Sequence, residues 1–279
     1  YFIYAKRSEK HRGHERRLVY VSESKDRRQW SDPKLALAPD ATDDAMVRAE
    51  GGRHAEFYNM SVFRRGDHFL GLVTVFHYTG PPPEKGPKQS GDDGPIDVQL
   101  AISRDGLAWK RCEDRSPVIP NGPYAYDQGC ILGVANTPAF VGDEMWIYYT
   151  AITTTHGGYL PEKRITISLA KWRRDGFVSL DAGEETGVVE TVPLAAAGRQ
   201  LTVNANAARG RLTVAVLDAA STPLPGYTHA DCVAIGSDDV AHEVRWGSAE
   251  VLPEEDGLRL QFRLRSTQLY GFAIKREGL

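Results

Sequence analysis

Apolar positions in this chain fall in short runs bounded by turn residues, and many alternate with polar ones. Period-two alternation marks a strand with one buried face, and a short continuous run marks a strand buried on both. Leu18-Val19-Tyr20-Val21, Val98-Gln99-Leu100-Ala101-Ile102 and Ile165-Thr166-Ile167-Ser168-Leu169 read as strands. Helical periodicity is scarce, and 16 prolines and 27 glycines punctuate the chain. The expected class is all-β.

Two interleaved repeats organise the first two thirds. Ser24-Lys25-Asp26-Arg27-Arg28-Gln29-Trp30 recurs as Ser103-Arg104-Asp105-Gly106-Leu107-Ala108-Trp109, each after a strand. Arg174-Asp175-Gly176-Phe177 is a weaker third copy. Ser and Asp side chains in such a turn cap backbone amides, so Asp26, Asp105 and Asp175 read as structural. The second repeat is a hairpin: Asn59–Phe63, a Gly66-Asp67 turn and Phe69–Val73, then Asn136–Phe140, Gly142-Asp143 and Met145–Tyr149. Together they predict four-stranded antiparallel meanders, the unit of a β-propeller. About two and a half blades would occupy residues 1–187. Beyond them Leu201–Asn206, Arg211–Leu217, His242–Trp246, Leu258–Leu264 and Leu269–Ile274 alternate cleanly, predicting a β-sandwich over 188–279.

The chain opens on Tyr1-Phe2-Ile3-Tyr4, without methionine, in what reads as a buried strand. The expectation is that the natural start and the leading blades lie upstream, so no compartment is read. Composition adds exclusions: 41% hydrophobic and 25% charged residues are ordinary for a globular chain of 279 residues. Thirty-four basic against 37 acidic residues give no reason to expect nucleic acid. No apolar stretch is long enough for a membrane helix. Cys112, Cys130 and Cys232 are too scattered for a disulfide framework or a metal pair, and read as free thiols. No metal or cofactor is called for, and the oligomeric state stays open.

Three segments carry a resemblance: the hairpin from Glu56-Phe57-Tyr58, the run Gly94-Pro95-Ile96-Asp97-Val98-Gln99-Leu100-Ala101 into Ser103-Arg104-Asp105-Gly106, and Tyr126-Asp127-Gln128-Gly129 before Trp146-Ile147-Tyr148-Tyr149. They resemble the five-bladed propeller glycosidases, the invertase-like (family 32) and arabinanase-like (family 43) glycoside hydrolases. The invertase-type W-M-N-D-P-N-G, R-D-P and E-C signatures are absent. The resemblance implies a carbohydrate substrate cleaved by carboxylates at the propeller funnel, one protonating the leaving oxygen and one attacking or activating water. Glu56 and Asp127 lead innermost strands and are the first candidates. Their apolar neighbours predict raised pKa values. Asp97 is the third candidate.

Arg53, His54, Tyr58, His77, Tyr126, Tyr149 and His156 are candidate sugar-binding residues. His77 and His156 hold matching places in successive repeats. The loop Pro81–Asp93 reads as part of a substrate rim. The basic run Arg7, Lys10, His11, Arg12, His14, Arg16 and Arg17 reads as a solvated loop, with an anionic-sugar contact as the alternative. Competing readings are a lectin-like binding protein and a structural scaffold.

Overall fold

A computed structural model describes residues 1–82, 90–159 and 162–275. Among the described residues the protein is all-β apart from one short helix. Contacts divide it into two compact units, Tyr1–Ala139 with Trp146–Lys171, and Phe140–Met145 with Trp172–Leu279.

In the first unit β1 (Phe2–His11), β2 (His14–Glu23) and β3 (Lys34–Leu37) form an antiparallel sheet. Its Arg12-Gly13 hairpin turn has both φ angles positive, 51° and 85°, the second of which glycine tolerates without strain. The basic run is therefore strand, not loop. Alternation carries Arg16 onto the same face as the buried Leu18, while Arg17, on the other face, is half-buried. The opening segment is a strand but not a buried one: Tyr1 and Ile3 are exposed.

A helix unforeseen in the sequence follows, α1 (Ala41–Ala49). Asp40 caps it by accepting from the Asp43 amide, and the Asp43 side chain accepts from the Asp40 amide. The signal was Asp40-Ala41-Thr42-Asp43, a capping box with aspartate in both places.

Next come β4 (His54–Arg65), β5 (His68–Tyr78), β6 (Ile96–Ser103) and the short β7 (Lys110–Arg111), paired in that order as an antiparallel meander. β8 (Pro117–Ile119) also pairs with β6. A further group comprises β9 (Cys130–Val134), β10 (Ala139–Val141), β11 (Glu144–Ile152) and β12 (Ile165–Arg173), with β9, β10 and β12 all pairing with β11. The Gly66-Asp67 and Gly142-Asp143 turns fall where the repeat puts them. The repeated Ser/Asp turn is the same structure twice. Ser24 Oγ accepts from Arg27 N and Asp26 from Arg28 N and Gln29 N; Ser103 accepts from Gly106 N and Asp105 from Leu107 N and Ala108 N. A core of Val19, Val47, Ala55, Phe57, Met60, Val73, Val75 and Ala101 joins the first sheet, the helix and the meander.

The C-terminal sheets are β13 (Leu180–Ala182), β19 (Thr267–Lys275), β15 (Gln200–Asn206) and β17 (Asp238–Glu243), in that spatial order, and β14 (Gly187–Glu190), β18 (Arg259–Arg265) and β16 (Arg211–Leu217). Leu201 and Val203 from one sheet and Val214, Val216, Leu260 and Phe262 from the other share one apolar core. Leu180–Ala182 and Gly187–Glu190 are already part of these sheets. The strand expected over His242–Trp246 lies four residues earlier in the chain. Val244 and Trp246 are still buried, with the indole N–H donating to Val214 O at 2.7 Å. Among the described residues no helix is long and apolar enough to cross a membrane, and all three cysteines are free thiols.

Candidate functional site

Glu56 enters the first unit near the start of β4, where successive residues are buried on both faces. Its carboxylate is 4% exposed and fully engaged. Arg17, on β2, donates to Oε2 through its backbone amide at 3.1 Å and through Nη1 at 2.7 Å. His54 Nε2 lies 3.3 Å from Oε1. Burial opposes the charge, but His54 and Arg17 outweigh it and hold the Glu56 carboxyl below its ordinary range. The raised pKa expected from Phe57 and Tyr58 is thus reversed: the Arg17 guanidinium, which also lies against the Tyr58 ring, hydrogen-bonds the carboxylate and stabilises its charge.

Arg17 is the hub. Its Nη2 donates to Asp92 at 2.7 Å, so one guanidinium bridges two carboxylates. The same guanidinium lies 5.2 Å from the Tyr58 ring centre and 5.5 Å from that of Phe76. His156 Nε2 is 3.3 Å from the Tyr58 hydroxyl, and its ring packs on Phe76. Burial is the chief cause of a lowered His156 pKa. Glu56, His54, Tyr58 and His156 therefore meet around a residue read from sequence as solvated. Arg17 also keeps the carboxylate of Asp92, 37% exposed, at the site's edge.

A cavity of about 410 Å³ opens over this group. Its wall includes Arg17, Arg53, His54, Glu56, Tyr78 and Asp92. Arg53 is exposed, with its guanidinium laid over Gly80. His14, His54 and Tyr78 form a stack, with ring centres 4.4 and 4.7 Å apart. His54 Nδ1 is buried without a hydrogen-bond partner among the described residues. Of the rim loop, residues 83–89 lie outside the described residues; Asp92 and Asp93 are its inner end. That end is fixed by Gly94, whose φ of 143° and close approach leave an added Cβ 2.0 Å from His77 O.

The other candidates belong to different groups. Asp97 sits in β6, 3.2 Å from His77 Nε2 but without hydrogen-bond alignment, while His77 Nδ1 is 2.6 Å from Glu50. Burial disfavours the imidazolium, yet Asp97 and Glu50 outweigh it and raise the His77 pKa. Asp97 also accepts from Gln99 at 3.2 Å. Arg111 bonds both Gln99 and Asp43, extending a buried polar chain to the helix. Asp127 accepts from the Tyr124 amide and from the Tyr149 hydroxyl at 3.1 Å, the geometry of a turn cap. Burial first, then Asp127, pushes the Tyr149 phenol up to about 12. Tyr126 stacks on Tyr124 with ring centres 5.2 Å apart, both exposed. No group of three or more His, Cys, Asp or Glu side chains disposed to hold a metal occurs among the described residues.

Sequence reasoning missed Arg17, Asp92, His14 and Tyr78 as one group. The available signal was the Arg12-Gly13 turn, which makes the basic run a hairpin whose second strand must bury alternate residues.

No protein-family model matches the chain, and no curated protein does. Among solved structures, the chain is similar to BT0996 in its complex with RGII, with 14% identity and a TM-score of 0.41 over 61% of this chain. It spans 40% of the length of BT0996. It is also similar to a Bombyx mori GH32 β-fructofuranosidase, BmSUC1, with 10% identity and a TM-score of 0.27 over 99% of this chain and 75% of that one. Both scores lie below 0.5, so the reading of function rests on the geometry around Glu56.

Proposed function

We propose that this protein acts on a glycan bound over Glu56, as a glycoside hydrolase in which Glu56 is the ionised member of the carboxyl pair. The supporting observation is a 4%-exposed glutamate, held in its charged form by Arg17 and His54, on the wall of an open cavity. Burying an ion pair is a poor route to stability, because desolvation offsets the attraction. An ionised carboxylate facing a cavity is instead what attack on an anomeric carbon, or removal of a proton from water, requires. Its lowered pKa fits the attacking or basic role and not the proton donor. Asp92, across the same guanidinium, and Asp127 are the carboxyls to test for the donor.

One observation favours non-catalytic sugar binding as the second reading: both Glu56 oxygens already have partners, as in a carboxylate that orders a binding site. A panel of aryl furanosides and pyranosides, assayed with wild type and Glu56→Gln, separates the two. For a hydrolase the variant keeps its fold and sugar affinity while turnover falls by about 10²–10⁴. Absence of turnover in wild type, with sugar affinity lost in Glu56→Ala, selects binding. Glycoside cleavage undiminished in Glu56→Gln removes Glu56 from the chemistry.

A further inference from the structure

The C-terminal unit carries a second polar concavity. Arg211 on β16 stands directly across from Arg265 on β18, and Thr213 across from Arg263. Alternation sends Leu212, Val214, Phe262 and Leu264 into the core, so Arg211, Thr213, Arg263 and Arg265 share the opposite face. Like charges directly opposed in an antiparallel pair are destabilising. Three other arginines of this unit are paired, Arg173 with Asp238, Arg245 with Glu243 and Arg259 with Glu190. Arg211, Arg263 and Arg265 have no carboxylate partner among the described residues; Arg265 Nε donates to the Glu184 carbonyl at 3.1 Å.

These side chains line a cavity of about 360 Å³ with Thr186, Thr213 and His229, and no acidic side chain contributes to its wall. Its floor is rigidly ordered. The Gln261 amide nitrogen donates to Glu190 at 3.2 Å, which turns its oxygen toward His229 Nε2 at 3.1 Å. His229 Nε2 therefore carries a proton, and Nδ1 lies 3.0 Å from the Thr213 hydroxyl. The imidazole is held from both sides, and the guanidinium groups supply the fixed charge of the cavity.

We propose that this cavity binds an acidic sugar, whose carboxylate or sulfate group is held by Arg211, Arg263 and Arg265. Guanidinium groups match the planar, bidentate demand of such oxyanions, and a bound anion would relieve the repulsion between Arg211 and Arg265. The volume suits a single sugar residue rather than a large ligand. Among the described residues no Phe, Tyr or Trp lines it, so a nucleobase would find no large stacking platform. The charge requirement comes from this cavity alone, while the sugar as carrier rests on the reading of the chain as carbohydrate-active.

The test is calorimetric titration of the full chain with a trigalacturonate, a sulfated trisaccharide, neutral maltotriose, inorganic sulfate and a short single-stranded DNA, at low and moderate salt. The expected result is salt-sensitive binding of one or both acidic trisaccharides, which identifies the acid group. Maltotriose stays silent, and Arg263→Gln and Arg211→Gln each weaken binding by about tenfold or more. Melting temperatures stay unchanged or rise, because a repulsive charge is removed. Glu56→Ala leaves this binding intact, which separates it from the site over β4. Full affinity in both arginine variants, binding confined to inorganic sulfate, tighter binding of the DNA, or loss of binding in Glu56→Ala alone would each overturn the proposal.

Discussion

The two units bury different chemistry. The C-terminal core is hydrocarbon, and its buried polar residues are uncharged: Thr202, Asn204, Thr213 and Thr267. The N-terminal unit buries Arg16, Asp43, Asp44, His54, Glu56, His77, Asp97 and Asp127. Apolar burial is itself the driving force of folding, whereas buried charge must first overcome its own desolvation. The first unit therefore spends stability to hold charged groups in fixed places, and the second shows how the same chain builds strands without doing so.

Removing half of a buried pair gives the largest predicted effect. Arg16 donates to Asp44 at 2.6 Å and to Ala55 O, and both side chains are buried. Arg16→Met should destabilise the first unit by about 3–5 kcal/mol, and Arg16→Met with Asp44→Leu should recover at least half of the loss. Phe262→Ala in the second unit should be comparably severe. No second polar-to-apolar substitution will rescue it, because the damage is a void. Hydrogen exchange, resolved by unit, checks both; equal rescue in the two units would erase the contrast.

Acid provides the next difference. Burial raises the Asp44 pKa, but Arg16, the Ala55 amide and Arg12 outweigh it and bring it to about 2. A depressed carboxyl contributes stability that is present above its unfolded value of 3.8 and is lost as pH falls through about 2. The first unit should lose about 2 kcal/mol across that window from this group. Denaturant melts of wild type and Asp44→Asn as a function of pH test it; parallel pH profiles would dismiss the linkage.

A smaller effect is predicted for Ser103→Ala, which removes the acceptor for the Gly106 amide and should cost about 1 kcal/mol with turnover unchanged. A loss of turnover in this variant would move the repeated turn from scaffold to site.

The histidines give the most delicate contrast. His77 has a raised pKa, so its contribution is full below the ordinary histidine value and is lost as pH rises through the folded value. His229 is shifted down, chiefly by burial, so its contribution is full above the ordinary value and is lost as pH falls toward the folded one. The destabilisation caused by His77→Gln should shrink from pH 6 to pH 8, and that caused by His229→Gln should grow. The same sign in both variants would break the comparison.

What could be read from the sequence follows this division. Alternation gave most C-terminal strands to within a residue or two, because one wet and one apolar face leave a direct record. The Ser24 and Ser103 turns were equally legible, since their chemistry is local. Arg16 and Arg17 were not, because a buried ion pair looks in sequence like any exposed basic run. Its meaning depends on Asp44 and Glu56, 28 and 39 residues away. The helix was hidden for a related reason: two of its buried residues, Asp43 and Asp44, are acidic, so its inner face has no apolar stripe. Glu56 stands out by its place at the head of an innermost strand, but its titration depends on Arg17, 39 residues away, which sequence marks only through the hairpin implied by the Arg12-Gly13 turn.

The junction between the β4–β7 meander and the following strands has a historical consequence. One parallel bridge, Ile96 to Cys130, is all the ladder that joins β6 to β9. Side chains of β4 fasten the same junction, Asn59 Nδ2 donating to Leu132 O at 3.0 Å and Ser61 Oγ to Val134 O at 2.6 Å. A module fastened this way can be copied by duplication of its coding segment and joined to the next copy through a few point changes, with no extended backbone ladder to rebuild. Of the two fastening residues, Asn59 has a counterpart in the next hairpin, Asn136, whereas Ser61 is matched by Pro138, which has no hydroxyl to donate; a further copy joined after that hairpin would need its stitching remade at one position.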